Sequence, residues 1–195
     1  MTDEQRIDRM AGCSRLGKGV LAIGAFILAA LCLLSMNRCF YMTDVNGLHM
    51  EVLQTAQDLS VAVSSYAEEY HRFPIEETHS KAADTSFRSR GTLLPTLIGE
   101  ETSELNPRTI KFTEFRIAKD RKFGLWQDGE EWVLSDLWGE PYYIVLDTNE
   151  DNMIANPNLG AAKSLSQIPA KVIIYSSGPD RDPKTWHDNI CSWRN

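Results

Sequence analysis

The sequence predicts an α+β protein in which a long N-terminal helix, transmembrane in its first part and amphipathic in its second, packs on a small antiparallel sheet. Three observations predict it. An uncharged run, VLAIGAFILAALCLLS, extends from Val20 to Ser35. Apolar residues then recur at steps of three and four as far as Tyr70, the spacing of one helical face. Beyond Thr109 come short β-rich runs bounded by turn residues, with no helical stretches between them. Helix first and strands later, without βαβ alternation, argues for an antiparallel sheet.

The first element is the apolar run. Between Gly17 and Met36 only Lys18 is charged, and its long side chain can snorkel to an interface. At about 1.5 Å per residue the run just spans a hydrocarbon core. A cleavable secretory signal is the competing reading, but the run is longer than a usual signal core and no A-x-A site follows it. Cys32 follows Leu31 and Cys39 follows Arg38, so neither has the small residue before it that a lipoprotein wants. Arg6, Arg9, Arg15 and Lys18 precede the run and only Arg38 closely follows it, which puts the N-terminus in the cytoplasm. The expected division is 1–18 as a cytoplasmic segment or leader, 19–41 as a transmembrane helix and 42–195 as an exported domain.

The second element is the amphipathic helix. Val45, Leu48, Val52, Ala56, Leu59, Val63, Tyr66 and Tyr70 form one stripe, and Glu51, Gln54, Asp58, Glu68 and Glu69 occupy the other face. The stripe reads as a core face laid on a sheet, and the helix should stop at Phe73-Pro74. Asn46-Gly47 is a place for a break or bend, with Thr43 or Asp44 as a cap. The polar stretch from Ile75 to Arg90 reads as a loop. Leu93, Leu94, Leu97 and Ile98 read as a short helix closed by Gly99. Strands are expected at Thr109–Phe115, Trp132–Leu134, Tyr142–Leu146 and Lys171–Tyr175. No repeat or low-complexity tract is present.

Composition excludes several function classes. The 195 residues are 43% hydrophobic and 24% charged, with a formal net charge of −7, so the chain is of the globular kind. No stretch gathers five or six basic residues on one face, and a phosphate backbone would be repelled. Cys13, Cys32, Cys39 and Cys191 contain no CxxC pair, which argues against a zinc site or a disulfide scaffold. Only Cys39 and Cys191 fall on the same side of the apolar run, and bonding them needs α-carbons within about 7 Å. Catalysis is not expected. His49, His71, His79 and His187 have no metal-ligand spacing, and Ser176 and Ser177 lack a GxSxG elbow. Glu68-Glu69, Glu76-Glu77, Glu100-Glu101 and Glu130-Glu131 read as solvated faces and loops, since adjacent helical residues point apart. No small-molecule substrate is evident.

After the long helix the chain reads YAEEYHRFP, LLPTLIGE, NPRTIKFTEF, DLWGEPYYIVLDTNEDNMI, VIIYSSGPD and DNICSW. This order resembles the major pseudopilins of type II secretion and their type IV pilin-like relatives. WGxPY, a strand and then a Ser-Gly-x-Asp turn are its most specific parts. Trp138, Pro141 and Tyr142 can fill the space between sheet and helix, and Gly139 permits a tight turn. The resemblance implies a pilin-like fold, a single-pass protein of a bacterial inner membrane with its domain in the periplasm, and a structural role in protein export. The implied partners are the membrane and other pilin-like or secretion-system subunits. A prepilin peptidase would cut between Gly19 and Val20. Val20 and Gly24 then stand where the family has Phe and Glu. The Glu of the family is thought to pair with a neighbouring subunit's N-terminal amine, so its absence here keeps a second reading open: a membrane-tethered, calcium-binding interaction module that does not polymerise.

The resemblance also implies Ca²⁺. The family's ion ties the last β-turns together through the Asp of the Ser-Gly-x-Asp turn and an Asp shortly before the final aromatic. Here these positions are Asp180 and Asn189, with Asp188 beside the latter and Asp182 near the former. An amide oxygen can replace a carboxylate among the six to eight oxygens Ca²⁺ takes. The alternative is that Asp180 and Asp182 are turn formers beside Pro179 and Pro183. A second, weaker cluster is Asp147, Asn149 and Asp151, spaced like the start of an EF-hand loop but with Asn152 and Asn158 where that loop needs Gly and Glu. It reads more simply as a hairpin turn with solvated carboxylates.

Overall fold

The computed structural model describes residues 47–75, 83–100, 104–158 and 165–193. All of these but Gly47 belong to one compact unit, Leu48–Asn195. The apolar run, the join at Asn46 and the Gly19-Val20 bond lie outside the described residues. Among those described, no helix is long and apolar enough to cross a membrane.

The unit is α+β. Helix α1 covers 47–70, followed by β1 (Thr85–Arg88), α2 (Leu93–Ile98), β2 (Gly124–Asp128) and β3 (Glu131–Ser135). Next come β4 (Tyr143–Leu146), β5 (Ile154–Ala155), β6 (Gln167–Ile168), β7 (Val172–Ser176) and β8 (Ile190–Cys191). The main sheet is antiparallel with strand order β1-β4-β7-β8, and β2-β3 and β5-β6 form separate two-stranded ladders.

The predicted stripe of α1 is its buried face. Val52, Ala56, Leu59, Val63 and Tyr66 are fully buried, and Ala62 joins them. They pack with Leu93, Leu94 and Leu97 of α2 and with Ile144, Leu146, Val172 and Ile174, the helix-facing residues of the main sheet. Leu48 is exposed and Tyr70 is half-buried. The helix ends at residue 70, earlier than Phe73-Pro74, because His71 takes a left-handed φ of 52°. Gly99 caps α2 as expected, at φ 76° with its N–H on the Pro95 carbonyl.

Thr109–Phe115 is not a strand. Its Phe112 and Phe115 are half-buried against the core without pairing to a strand. Phe112 rests on Tyr66 and Tyr70, and its N–H bonds the Leu97 carbonyl at 2.9 Å. Asn106 fixes this segment: its Nδ2 donates to Thr96 and Ile110 carbonyls, and its Oδ1 accepts from Ile110 N–H and Tyr70 Oη. A strand, β1, lies inside the stretch read as loop, paired along its length with β4. Strand β2 is likewise additional, and Gly129 at φ 66° opens the two-residue turn that joins it to β3.

Ser89 ties the main sheet to the β2-β3 ladder. Its Oγ donates to the Leu134 carbonyl and accepts the Tyr142 N–H, both at 2.7 Å. Tyr142 is fully buried between sheet and helix, the filler role expected of it, and Trp138 packs at the core's edge against His49, ring centroids 5.5 Å apart. Gly139 has φ 93°, as a tight turn requires. On the far face of the sheet, Ile173 with Ile154 and Ile168 of the β5-β6 ladder forms a second small core.

Candidate metal centre in the C-terminal turns

Strand β7 runs into Ser177-Gly178-Pro179-Asp180, and the chain returns through two turns to pair β8 with the end of β7. Each turn is closed by its own Asp. Asp180 Oδ1 accepts the Asp182 N–H at 2.8 Å, and Asp182 Oδ1 accepts the Lys184 N–H at 2.9 Å. These are Asx turns, as Asp beside Pro favours. Asn189 Nδ2 then donates to the Pro183 carbonyl at 3.0 Å, holding the outgoing and returning passes together.

Gly178 makes the close approach possible. It has φ 69°, and a Cβ built on it would lie 2.4 Å from the Asp188 carbonyl oxygen. Any side chain there would force the turn off the Asp188-Asn189 segment.

Beneath the turn lies Asp136, a fully buried carboxylate of the DLWGEPY stretch. Its Oδ1 accepts the N–H groups of Trp138 and Glu140 at 2.9 Å, and its Oδ2 accepts Ser176 Oγ–H at 2.5 Å. Ser176 Oγ in turn accepts the Gly178 N–H at 3.1 Å. One carboxylate thus links the two most specific motifs of the sequence. Burial pushes its pKa above the ordinary value, against the opposing pull of Ser176 and the two backbone donors.

Three buried oxygens around this turn have no hydrogen-bond partner: Ser177 Oγ, Asp188 Oδ1 and Asn189 Oδ1. His187 Nδ1 is 3.8 Å from Asp188 Oδ1, too far for a hydrogen bond. A buried unsatisfied acceptor costs about 1–3 kcal/mol. A carboxylate, an amide and a hydroxyl oxygen left unpaired together are the donor types a hard cation takes. The residues therefore fit Ca²⁺, with Asp188 supplying charge and Asn189 and Ser177 neutral oxygens. Asp180 lies on the adjoining turn, exposed, with one oxygen engaged in closing it. Among the described residues no three His, Cys, Asp or Glu side chains converge on a metal-sized site, so any ion here relies on amide, hydroxyl and carbonyl oxygens as well. No family model, curated protein or solved structure matches this chain.

The second cluster is arranged differently. Asp147 accepts the Asp151 and Asn152 N–H groups on its two oxygens, at 3.1 and 2.8 Å. Asn149 Oδ1 accepts from Asp151 N–H, Asn149 Nδ2 donates to Asp151 Oδ2, and Asp151 Oδ1 accepts the Met153 N–H. The oxygens are spent on their own loop. It is not a hairpin, since β4 pairs with β1 and β7 while β5 pairs with β6, and Asp147 is buried rather than solvated.

Asp136, Ser177 and Asp84 were not singled out by the sequence as site residues. Asp84 Oδ2 accepts the Ala155 N–H while its Oδ1 is buried without a partner. Burial raises its pKa, and the charges of Asp147 and Asp151 add to the rise. The signal for Asp136 was its place two residues before Trp138, but its decisive partner lies forty residues on. Of the histidines, His49 and His187 are placed above, His71 ends α1, and His79 lies outside the described residues. Cys191 is buried, and Cys39 is also outside them.

Proposed function

We propose that this chain is a structural, pseudopilin-like subunit of a type II secretion or type IV pilus-like assembly, anchored in a bacterial inner membrane and supporting protein export without catalysis. The observation that carries the reading is the coupling of DLWGEPY to SSGPD through Asp136 and Ser176, with unpaired oxygens of Ser177, Asp188 and Asn189 around the same turn. Ca²⁺ bound there would neutralise Asp188 and cross-link the last two turns, fixing the C-terminal surface that a neighbouring subunit would meet. The amphipathic helix on an antiparallel sheet supports the same reading, as does the uncharged apolar run that precedes that helix in the sequence. Gly24, standing where the family has its intramembrane Glu, favours one alternative: a tethered interaction module with the same fold that does not polymerise.

Expression of the full chain in a bacterium with a type II secretion system tests both. The subunit reading expects a carbonate-resistant membrane protein whose mature mass begins at Val20 and which cross-links to pilin-like subunits. A carbonate-resistant chain with Met1 intact and no such cross-links would favour the tethered module. A soluble chain would overturn both.

A further inference from the structure

Arg116, Lys119, Arg121 and Lys122 fall within seven positions of an acidic chain. The backbone doubles back tightly there. Lys119 and Lys122 exchange N–H to carbonyl bonds at 3.2 and 3.0 Å, and Asp120 and Arg121 both take left-handed φ values of 52° and 60°. All four basic residues are exposed. Arg116 stacks over Phe123 and reaches Glu51, and Arg121 stacks over Trp126. Among the described residues Lys119, Arg121 and Lys122 form no ion pair. In their midst Ile117 is 72% exposed, more than any other large hydrophobic side chain described.

This turn stands beside the first described turn of α1. Arg116 Nη1 is 3.4 Å from Glu51 Oε2. Trp138 packs on His49, and a Cβ on the adjoining Gly139 would lie 3.4 Å from Lys122 Cγ. From that end of α1 the chain leads back to the apolar run, with residues 36–46 between them, a reach of at most about 40 Å. An exposed Ile on a turn that carries four basic residues and one acidic one, Asp120, has interfacial chemistry: the apolar side chain enters the acyl boundary while the cations meet phosphates. We propose that the 116–122 turn rests on anionic phospholipid headgroups of the membrane in which the chain is anchored, with Ile117 inserted among them. This rests on the anchor reading above, and it would fix the domain's attitude on the bilayer.

The test places the photoreactive residue p-benzoylphenylalanine at 117 in the full chain, reconstituted in phosphatidylcholine vesicles containing a quarter phosphatidylglycerol. Illumination should give a phosphatidylglycerol adduct in excess of that lipid's share. Lys119→Glu, Arg121→Glu and Lys122→Glu together should lower the adduct by about tenfold or more. High salt should lower it in the unreversed chain, which keeps the test independent of the variant's folding. Release of the chain by carbonate would overturn anchor and contact together. In a carbonate-resistant chain, an adduct only to protein, no adduct, or one indifferent to charge and salt would overturn the lipid contact alone.

Discussion

Asp136 shows how much one side chain carries. Four buried or half-buried groups depend on it: the Trp138 and Glu140 N–H groups, the Ser176 hydroxyl and, through that hydroxyl, the Gly178 N–H. Its raised pKa has a definite sign for stability. The folded chain binds the proton more tightly than the unfolded one, so this contribution is full below the ordinary value of 3.8 and is lost as pH rises through the higher folded value. Asp136→Asn keeps the backbone-facing oxygen but does not titrate. The melting temperature of the variant minus that of the parent should therefore increase as pH rises from that ordinary value toward neutrality, a difference in which the other carboxylates cancel. A gap that stays flat or shrinks with rising pH would show that the folded Asp136 is not raised. The sequence displayed Asp136 and Ser176 in plain view. It did not display their bond, because a contact forty residues apart leaves no local periodicity.

At the scale of elements, the helices were legible and the sheet was only half so. The α1 stripe was readable because one face of a period near 3.6 is buried along most of its length, and α2 because an apolar turn ends in Gly99. Strands β3, β4 and β7 were readable as β-rich runs. Strand β1, TSFR, was not, since its polar sequence becomes a strand only by pairing with β4. Thr109–Phe115 failed the other way: Phe112 is drawn to the helix, but the backbone finds only α2's last turn and Asn106 to bond. The candidate turns followed the same rule, with Asp188 and Asn189 placed by motif and Ser177 visible only once the strands were paired. Two substitutions on α1 separate core from surface. Leu59→Ala empties a fully buried position and should cost about 2–5 kcal/mol in denaturant unfolding. Val61→Ala, two residues on but 64% exposed, should stay within about 0.5 kcal/mol. Comparable losses at both sites would mean that Val61 is also covered, as a packed second copy would cover it.

For the whole molecule, the main sheet, the DLWGEPY segment and the returning C-terminus meet at the turns around Gly178, and the unpaired oxygens there give the fold a place to be locked by an ion. Ca²⁺ bound only by the folded state raises stability by RT ln(1 + [L]/Kd), about 2.7 kcal/mol at a hundredfold excess over Kd. Mg²⁺, with its smaller octahedral shell, should do much less. The most direct measurement is the melting temperature of the full chain in detergent, stripped with chelator and titrated with Ca²⁺. It should rise with Ca²⁺, lose that rise in Asp188→Asn and keep most of it in Asp151→Ala. No rise at millimolar Ca²⁺ in a folded sample, or a rise abolished by Asp151→Ala and retained by Asp188→Asn, would contradict the C-terminal metal centre.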